Sequence, residues 1–287
     1  MLDNFETIQC SKTRGILTIF FNRSKSLNSF THQMMIELIK AVDYAENDDS
    51  VRAIIFTGKG RAFCAGADLS KKGETFDFSK RKDKVNGIAP DEGGLLTLRL
   101  FDCKKPLIAA VNGPAVGIGA TLQLPMDIRI GSSLARFGFV FSNRGLVPEA
   151  CSSWFLPRIV GISKALEWCF SGDVFDANQA LQAGLIKEIT TPEKLMPRAV
   201  EIATELTKKS SPVSIALTRQ MMWKMLGADH PIEAHKIDSR GIQIRGSSRD
   251  GIEGIKSFLE KRPANFIDSV NKDMPDYYPW WKPRNFD

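Results

Sequence analysis

The sequence is poor in several things, and each shortage excludes a class of protein. Across its 287 residues no apolar run approaches the roughly 18 to 20 uncharged residues that a membrane-spanning helix needs. The start, Met1-Leu2-Asp3-Asn4-Phe5-Glu6, lacks a basic segment followed by an apolar stretch, so no export signal is expected. The five cysteines, Cys10, Cys64, Cys103, Cys151 and Cys169, are odd in number, widely spaced and contain no Cys-x-x-Cys pair. Neither a disulfide framework nor a zinc site is suggested, and a reducing cytoplasm is the default location. Histidine is scarcer still: His32, His230 and His235 form no ligand set, and no Gly-x-Ser-x-Gly elbow occurs, which argues against a metalloenzyme and a serine hydrolase. The net charge of +6 comes from scattered Lys and Arg without stacking aromatics, which does not favour nucleic acid. A small ligand bearing several phosphates accounts for mild basicity as well.

What is present is a globular composition, 43% hydrophobic and 25% charged, in which strand-length apolar runs alternate with helical patterns. Ile16-Leu17-Thr18-Ile19-Phe20-Phe21 reads as a strand that stops at Asn22-Arg23. From Thr31, an N-cap, the period becomes helical through Met34, Met35, Leu38, Ile39 and Val42, with Phe30 placed to staple against Met35. Arg52 to Gly58 and Pro106 to Gly113 are further buried-strand candidates, giving a βαβ order. Residues 71 to 94 read as a mobile loop or short-helix region. After about residue 160 the pattern is mostly helical. Asp176 caps one helix, with Gln179 three residues on and Gly184 closing it, and Thr191-Pro192 opens another with Leu195, Ala199, Ile202 and Leu206 on one face. The aromatic tail, with Tyr277, Tyr278, Trp280 and Trp281, is expected to pack on its own or a neighbouring subunit. The division expected is a core domain over 1–200 and a helical C-terminal trimerisation region and tail over 201–287.

Two segments carry chemistry. Ala62-Phe63-Cys64-Ala65-Gly66-Ala67-Asp68-Leu69 follows a strand, and a chain turning into a helix there presents free N–H groups to an anion or a carbonyl oxygen. Its plainer explanation is a tight connection with Asp68 as a helix cap. Asn112-Gly113-Pro114-Ala115-Val116-Gly117-Ile118-Gly119-Ala120-Thr121 repeats the arrangement. Leu122 stands where a dinucleotide loop would carry its third glycine, so that reading is weak. Two such turns are what a split oxyanion hole requires.

Taken together, Ala-Gly-Ala-Asp-Leu, Asn-Gly-x-Ala-x-Gly-x-Gly with Asp127-Ile128 after it, Phe137-Gly138, Gly145-Leu146-Val147-Pro148 and Phe258-Leu259-Glu260-Lys261-Arg262 resemble the crotonase, or enoyl-CoA hydratase/isomerase, superfamily from about residue 10 to 266. The resemblance implies an α/β fold, a crotonase-type spiral of ββα turns with a helical C-terminal region, assembled as trimers or dimers of trimers. It implies oxyanion donors at the N–H groups of Ala67 and Ile118 and a coenzyme A thioester as substrate, with no metal and no permanently bound cofactor. For coenzyme A it points to Arg23, Lys25 and Lys261 at the phosphates, Phe258 beside the ligand, and the turn residues Ala65, Gly66, Ala67, Asp68, Leu69 and Gly117. Each of these charges and aromatics is equally explained as a solvated charge or a core ring. Partners other than the thioester, nucleic acid and membrane included, are not expected.

In hydratases of this superfamily two glutamates activate a water; here those positions align with Thr121 and Phe141. The nearby acid is Glu149, in Pro148-Glu149-Ala150-Cys151-Ser152-Ser153, which resembles the Pro-Glu-Gly/Ala-Cys-Ser segment of Δ3,Δ2-enoyl-CoA isomerases of the peroxisomal type. There one glutamate takes a proton beside the thioester and returns one two carbons further on. Phe139, Phe141, Leu146 and Trp154 are apolar neighbours able to raise its pKa. The alternatives are Glu149 as the start of a helix, an acidic nucleophile as in an aryl-CoA dehalogenase, an enoyl-CoA hydratase of fatty-acid metabolism, and a catalytically weak acyl-CoA-binding member.

Overall fold

The computed structural model describes residues 4–70, 75–79 and 81–286. The expectations for Met1-Leu2-Asp3 and for part of the 71 to 94 stretch fall outside these. The fold is α/β, built on a six-stranded sheet in the order β1-β2-β3-β4-β6-β9. These strands are β1 (Ile8–Thr13), β2 (Ile16–Phe21), β3 (Ala53–Gly58), β4 (Leu107–Val111), β6 (Ile128–Ser132) and β9 (Ile189–Thr190). β1 runs antiparallel to β2 and the remaining neighbours are parallel. A smaller sheet joins β5 (Pro114–Val116), β7 (Arg136–Gly138) and β8 (Val174–Asp176) in the order β5-β7-β8.

The parallel strands are apolar along their length because both faces are covered. On one face α1 (His32–Asn47) packs Met34, Leu38, Ala41 and Val42 with Leu17, Ile19 and Phe21. On the other, α7 (Pro192–Lys208) lays Leu195, Ala199, Ile202 and Ala203 over Ile16, Ala53, Ile55, Ile108 and Ile130. The expected Leu206 is 38% exposed, and Thr207 takes the buried place on that face. Position 200 falls inside α7, so the sheet-packing helix runs across the expected division between core and C-terminal region.

Local chemistry sets several boundaries. The Thr31 hydroxyl accepts the Met34 N–H at 3.2 Å to start α1. At α6 (Ala177–Gln182), Asp176 and Gln179 form a reciprocal capping box. The chain then continues through α8 (Pro212–Met225), α9 (Pro231–Gly246) and α10 (Arg249–Leu259). The aromatic tail folds back on its own chain: Lys224 Nζ lies 4.3 Å from the Trp281 ring centroid and 4.0 Å from that of Phe101. No helix among the described residues is long and apolar enough to cross a membrane.

Candidate active site

Both small-residue turns leave the C-terminal ends of parallel strands, and the structure stitches them together. The Cys64 N–H donates to Pro114 O at 3.0 Å and Val116 N–H donates back to Cys64 O at 3.0 Å. Gly119 is required at this crossing, because a Cβ there would stand 1.9 Å from the Cys64 carbonyl oxygen. Gly117 takes φ +55 and ψ −124, a backbone state open to glycine.

Ala67 sits in a parallel bridge with Phe30. Phe30 N–H donates to Gly66 O and Asp68 N–H to Phe30 O, so the pleat turns the N–H of Ala67 the other way. Ile118 is the first residue of α3 (Ile118–Thr121), where an N–H has no intrahelical acceptor. Among the described residues neither N–H has a protein acceptor, and both residues border one cavity of about 600 Å³.

After the first turn, residues 71–74 lie outside the described ones, and among the described residues the next helix is α2 (Glu92–Asp102), so the role of Asp68 is read from its own bonds. Its carboxylate accepts the Ser70 N–H at 2.9 Å and pairs with Arg23 at 2.7 Å, and these bonds hold its pKa below the usual range.

Glu149 borders the same cavity. It lies three residues ahead of α4 (Ser152–Val160), whose N-cap is Cys151, and its carboxyl caps nothing there. Instead Oε1 accepts a hydrogen bond from the Thr121 hydroxyl at 2.5 Å. Ala150 and Cys151 both adopt φ +55, a strained state for side-chain-bearing residues, and this double left-handed turn sets the direction of the Glu149 backbone. Burial, opposed by the Thr121 bond and supported by the nearby Asp91 carboxyl, raises the Glu149 pKa from 4.5 to about 8. Phe141, at the second hydratase position, is buried and lines the cavity with Leu146. Phe139 and Trp154 do not border it; Phe139 stacks on Trp168 and Trp154 packs on Phe101.

Of the other residues expected at the ligand, Arg23, Ala65, Gly66, Asp68, Leu69 and Gly117 border the cavity. Lys25, Phe258 and Lys261 do not; all three are exposed, Phe258 at 81%. His32, set aside on sequence grounds, borders the cavity and bonds Glu92 at 2.8 Å. Asp91 and Gly93 also border it and were missed. The available signal was weak: Asp91 precedes Glu92-Gly93-Gly94, a helix start hidden in a polar stretch. The buried Cys64 thiol is pushed up to about 12 by desolvation, which leaves it inert as a nucleophile. Among the described residues no group of three His, Cys, Asp or Glu is placed to hold a metal ion.

Comparisons with known proteins show the family. Residues 11–269 match the enoyl-CoA hydratase/isomerase family. An enoyl-CoA hydratase of Alternaria alternata is 39% identical over 260 residues, spanning 90% of this chain and 85% of the relative. The 1,2-epoxyphenylacetyl-CoA isomerase of Escherichia coli K12 is 34% identical, spanning 88% of this chain and 95% of its own. A crystal structure of an enoyl-CoA hydratase subunit from Geobacillus kaustophilus superposes with a TM-score of 0.82 at 32% identity, covering 92% of this chain and 98% of that one. The chain therefore belongs to the enoyl-CoA hydratase/isomerase family, the crotonase superfamily, and is an acyl-CoA enzyme of that kind.

Proposed function

We propose that this acyl-CoA enzyme is a Δ3,Δ2-enoyl-CoA isomerase in which Glu149 is the proton shuttle. The observation that carries the reading is the 2.5 Å bond from Thr121 to Glu149. At the position where a hydratase of this superfamily holds one of its water-activating glutamates, this chain has a hydroxyl engaged in orienting a different acid.

The thioester carbonyl oxygen would lie between the N–H groups of Ala67 and Ile118, which are aimed at the charge that develops there. Glu149 takes the proton from C2, and the electron pair of that C–H bond enters the enolate. It then delivers the proton to C4, the C3–C4 double bond becomes C2–C3, and the carboxylate is regenerated. One carboxylate suffices because it is base first and acid second. A pKa of about 8 makes it a stronger base than a solvated glutamate while keeping a useful ionised fraction near neutrality.

Coenzyme A would approach along the first turn, with Arg23 near the phosphates. Since Arg23 already pairs with Asp68, phosphate binding there competes with an internal ion pair. Lys25, Phe258 and Lys261 would contribute from the protein surface. Assembly as a trimer or dimer of trimers would cover exposed Ile255, Phe258 and Leu259 of α10.

A hydratase reading has one specific observation in its favour: the Asp91 carboxyl lies beside that of Glu149, so two acids do meet, although from other elements than those of known hydratases. Several relatives also carry the hydratase name. Turnover of 3-enoyl-CoA and of 2-enoyl-CoA under the same conditions separates the two. Faster double-bond migration supports the isomerase, and faster formation of 3-hydroxyacyl-CoA from the 2-enoyl substrate overturns it.

A further inference from the structure

Glu149 does not stand alone. Asp91 is the N-cap of α2, and its Oδ2 accepts the Gly94 N–H at 2.9 Å. The same oxygen accepts the N–H of Ala150, the residue next to Glu149 and 59 positions away in sequence, at 3.1 Å. A helix cap needs the first of these bonds and not the second. The Asp91 carboxyl is also within hydrogen-bonding contact of the Glu149 carboxyl. The first turn of α2 closes the remaining side: a Cβ on Gly93 would stand 2.2 Å from Glu149 Oε2. Thr121, Asp91 and the Gly93 backbone thus surround one carboxyl group.

We propose that Asp91 is a positioning residue for Glu149: it ties the Glu149–Ala150 turn to the start of α2 and sets a carboxylate charge beside the Glu149 carboxyl. A negative charge beside Glu149 disfavours its ionised form and so makes it a stronger base. In turnover the effect has a direction. When Glu149 takes the C2 proton it becomes neutral, and repulsion from Asp91 is relieved at that moment, which favours abstraction. When it gives the proton to C4 the repulsion returns, so the pair resets to its starting state with no net change in protons.

The role in turnover rests on the isomerase reading, but the coupling between the two carboxyls does not. Other titratable groups near Glu149 are the thiols of Cys64 and Cys151. Charges bordering the cavity are Arg23 with Asp68, His32 with Glu92, Arg81, Asp77 and Arg144. The Glu149 carboxyl is held by Thr121 and Asp91.

The test uses the full-length parent, Asp91→Asn and Asp91→Ser, each also combined with Glu149→Gln. Asn and Ser still cap a helix but carry no charge, so they separate the clamp from the coupling. The first readout is the pH profile of kcat/KM for 3-enoyl-CoA. The second needs no substrate: the difference in melting temperature between each protein and its Glu149→Gln counterpart, followed from pH 5 to 9, reports the titration of Glu149. Both midpoints should fall by about one pH unit or more in the Asp91 variants, the size expected for removing a charge in contact. Unchanged midpoints overturn the proposal. So does failure of both variants to fold, since each retains the cap. A lowered melting titration in an enzyme that does not isomerise 3-enoyl-CoA supports the coupling and removes the isomerase reading instead.

Discussion

The Thr121 hydroxyl donates to Glu149 Oε1 at 2.5 Å, joining a helix that follows one oxyanion turn to an acid 28 residues further along the chain. This bond favours the ionised carboxylate and opposes the effect of burial. Replacing Thr121 by Val keeps the shape and removes the donor. The midpoint of the kcat/KM profile, expected near pH 8 in the parent, should move upward. The rate at pH 7 should then fall by about tenfold for every pH unit that the midpoint rises, because the ionised fraction falls by that factor. A profile that stays in place would show that the bond does not tune Glu149.

Gly93 leaves no room beside Glu149. A Gly93→Ala Cβ would overlap Oε2 at 2.2 Å and the Ile118 side chain at 2.6 Å, so either the carboxyl or the first turn of α2 must move. The expected result is a folded protein with turnover reduced by about 10²-fold, the order of loss that follows when a catalytic group is displaced by an ångström. Full activity in Gly93→Ala would mean that the Glu149 geometry is not what turnover depends on.

The oxyanion assignment predicts a contrast at one position. Ile118→Pro removes the N–H and should cost roughly 10²- to 10³-fold in kcat. Ile118→Ala keeps the N–H and should keep most of the activity, but the side chain is only 5% exposed, so stability should fall by about 2 to 5 kcal/mol. Circular dichroism and melting temperature separate a lost donor from a lost fold. Equal activities of the folded Pro and Ala variants would move the hole elsewhere.

Glu149 also makes a prediction for stability. Its pKa is raised in the folded protein, so between about 4.5 and 8 the folded state holds a proton that the unfolded state has released. Stability from this group is therefore greatest below pH 4.5, declines as pH rises to about 8, and is level above it. Glu149→Gln lacks that decline and should be more stable than the parent at pH 9, by on the order of 2 to 4 kcal/mol. Chemical denaturation at pH 5 and pH 9 checks this; a Gln variant less stable than the parent at pH 9 contradicts the burial argument.

The strands and helices with strong periodicity were legible in the sequence: β2, α1, β3, β4, α6 and α7 all stand where apolar spacing and capping residues place them. β1 was not, because Gln9, Cys10, Ser11 and Lys12 lie on a solvent-facing edge and carry no alternating apolar signal. β5, β7 and β8 have three residues each, too few to show a period. At the site, the two turns and Glu149 were visible because short motifs announce local backbone chemistry. Asp91 was not, since its bond to Ala150 spans 59 residues and arises from tertiary packing. His32 was missed for the same reason: as the first residue of α1 it reaches the cavity through the fold and not through a motif.

The central claim, that one carboxylate moves the proton, is tested most directly by Glu149→Gln with 3-enoyl-CoA as substrate. The substitution keeps the size of the side chain and its acceptor for Thr121 but removes the base. The account predicts that kcat falls by about 10²- to 10⁴-fold, as for a lost general base, while acyl-CoA affinity measured by calorimetry on the same preparation changes little. A folded Glu149→Gln protein that isomerises 3-enoyl-CoA at close to the parent rate would contradict it.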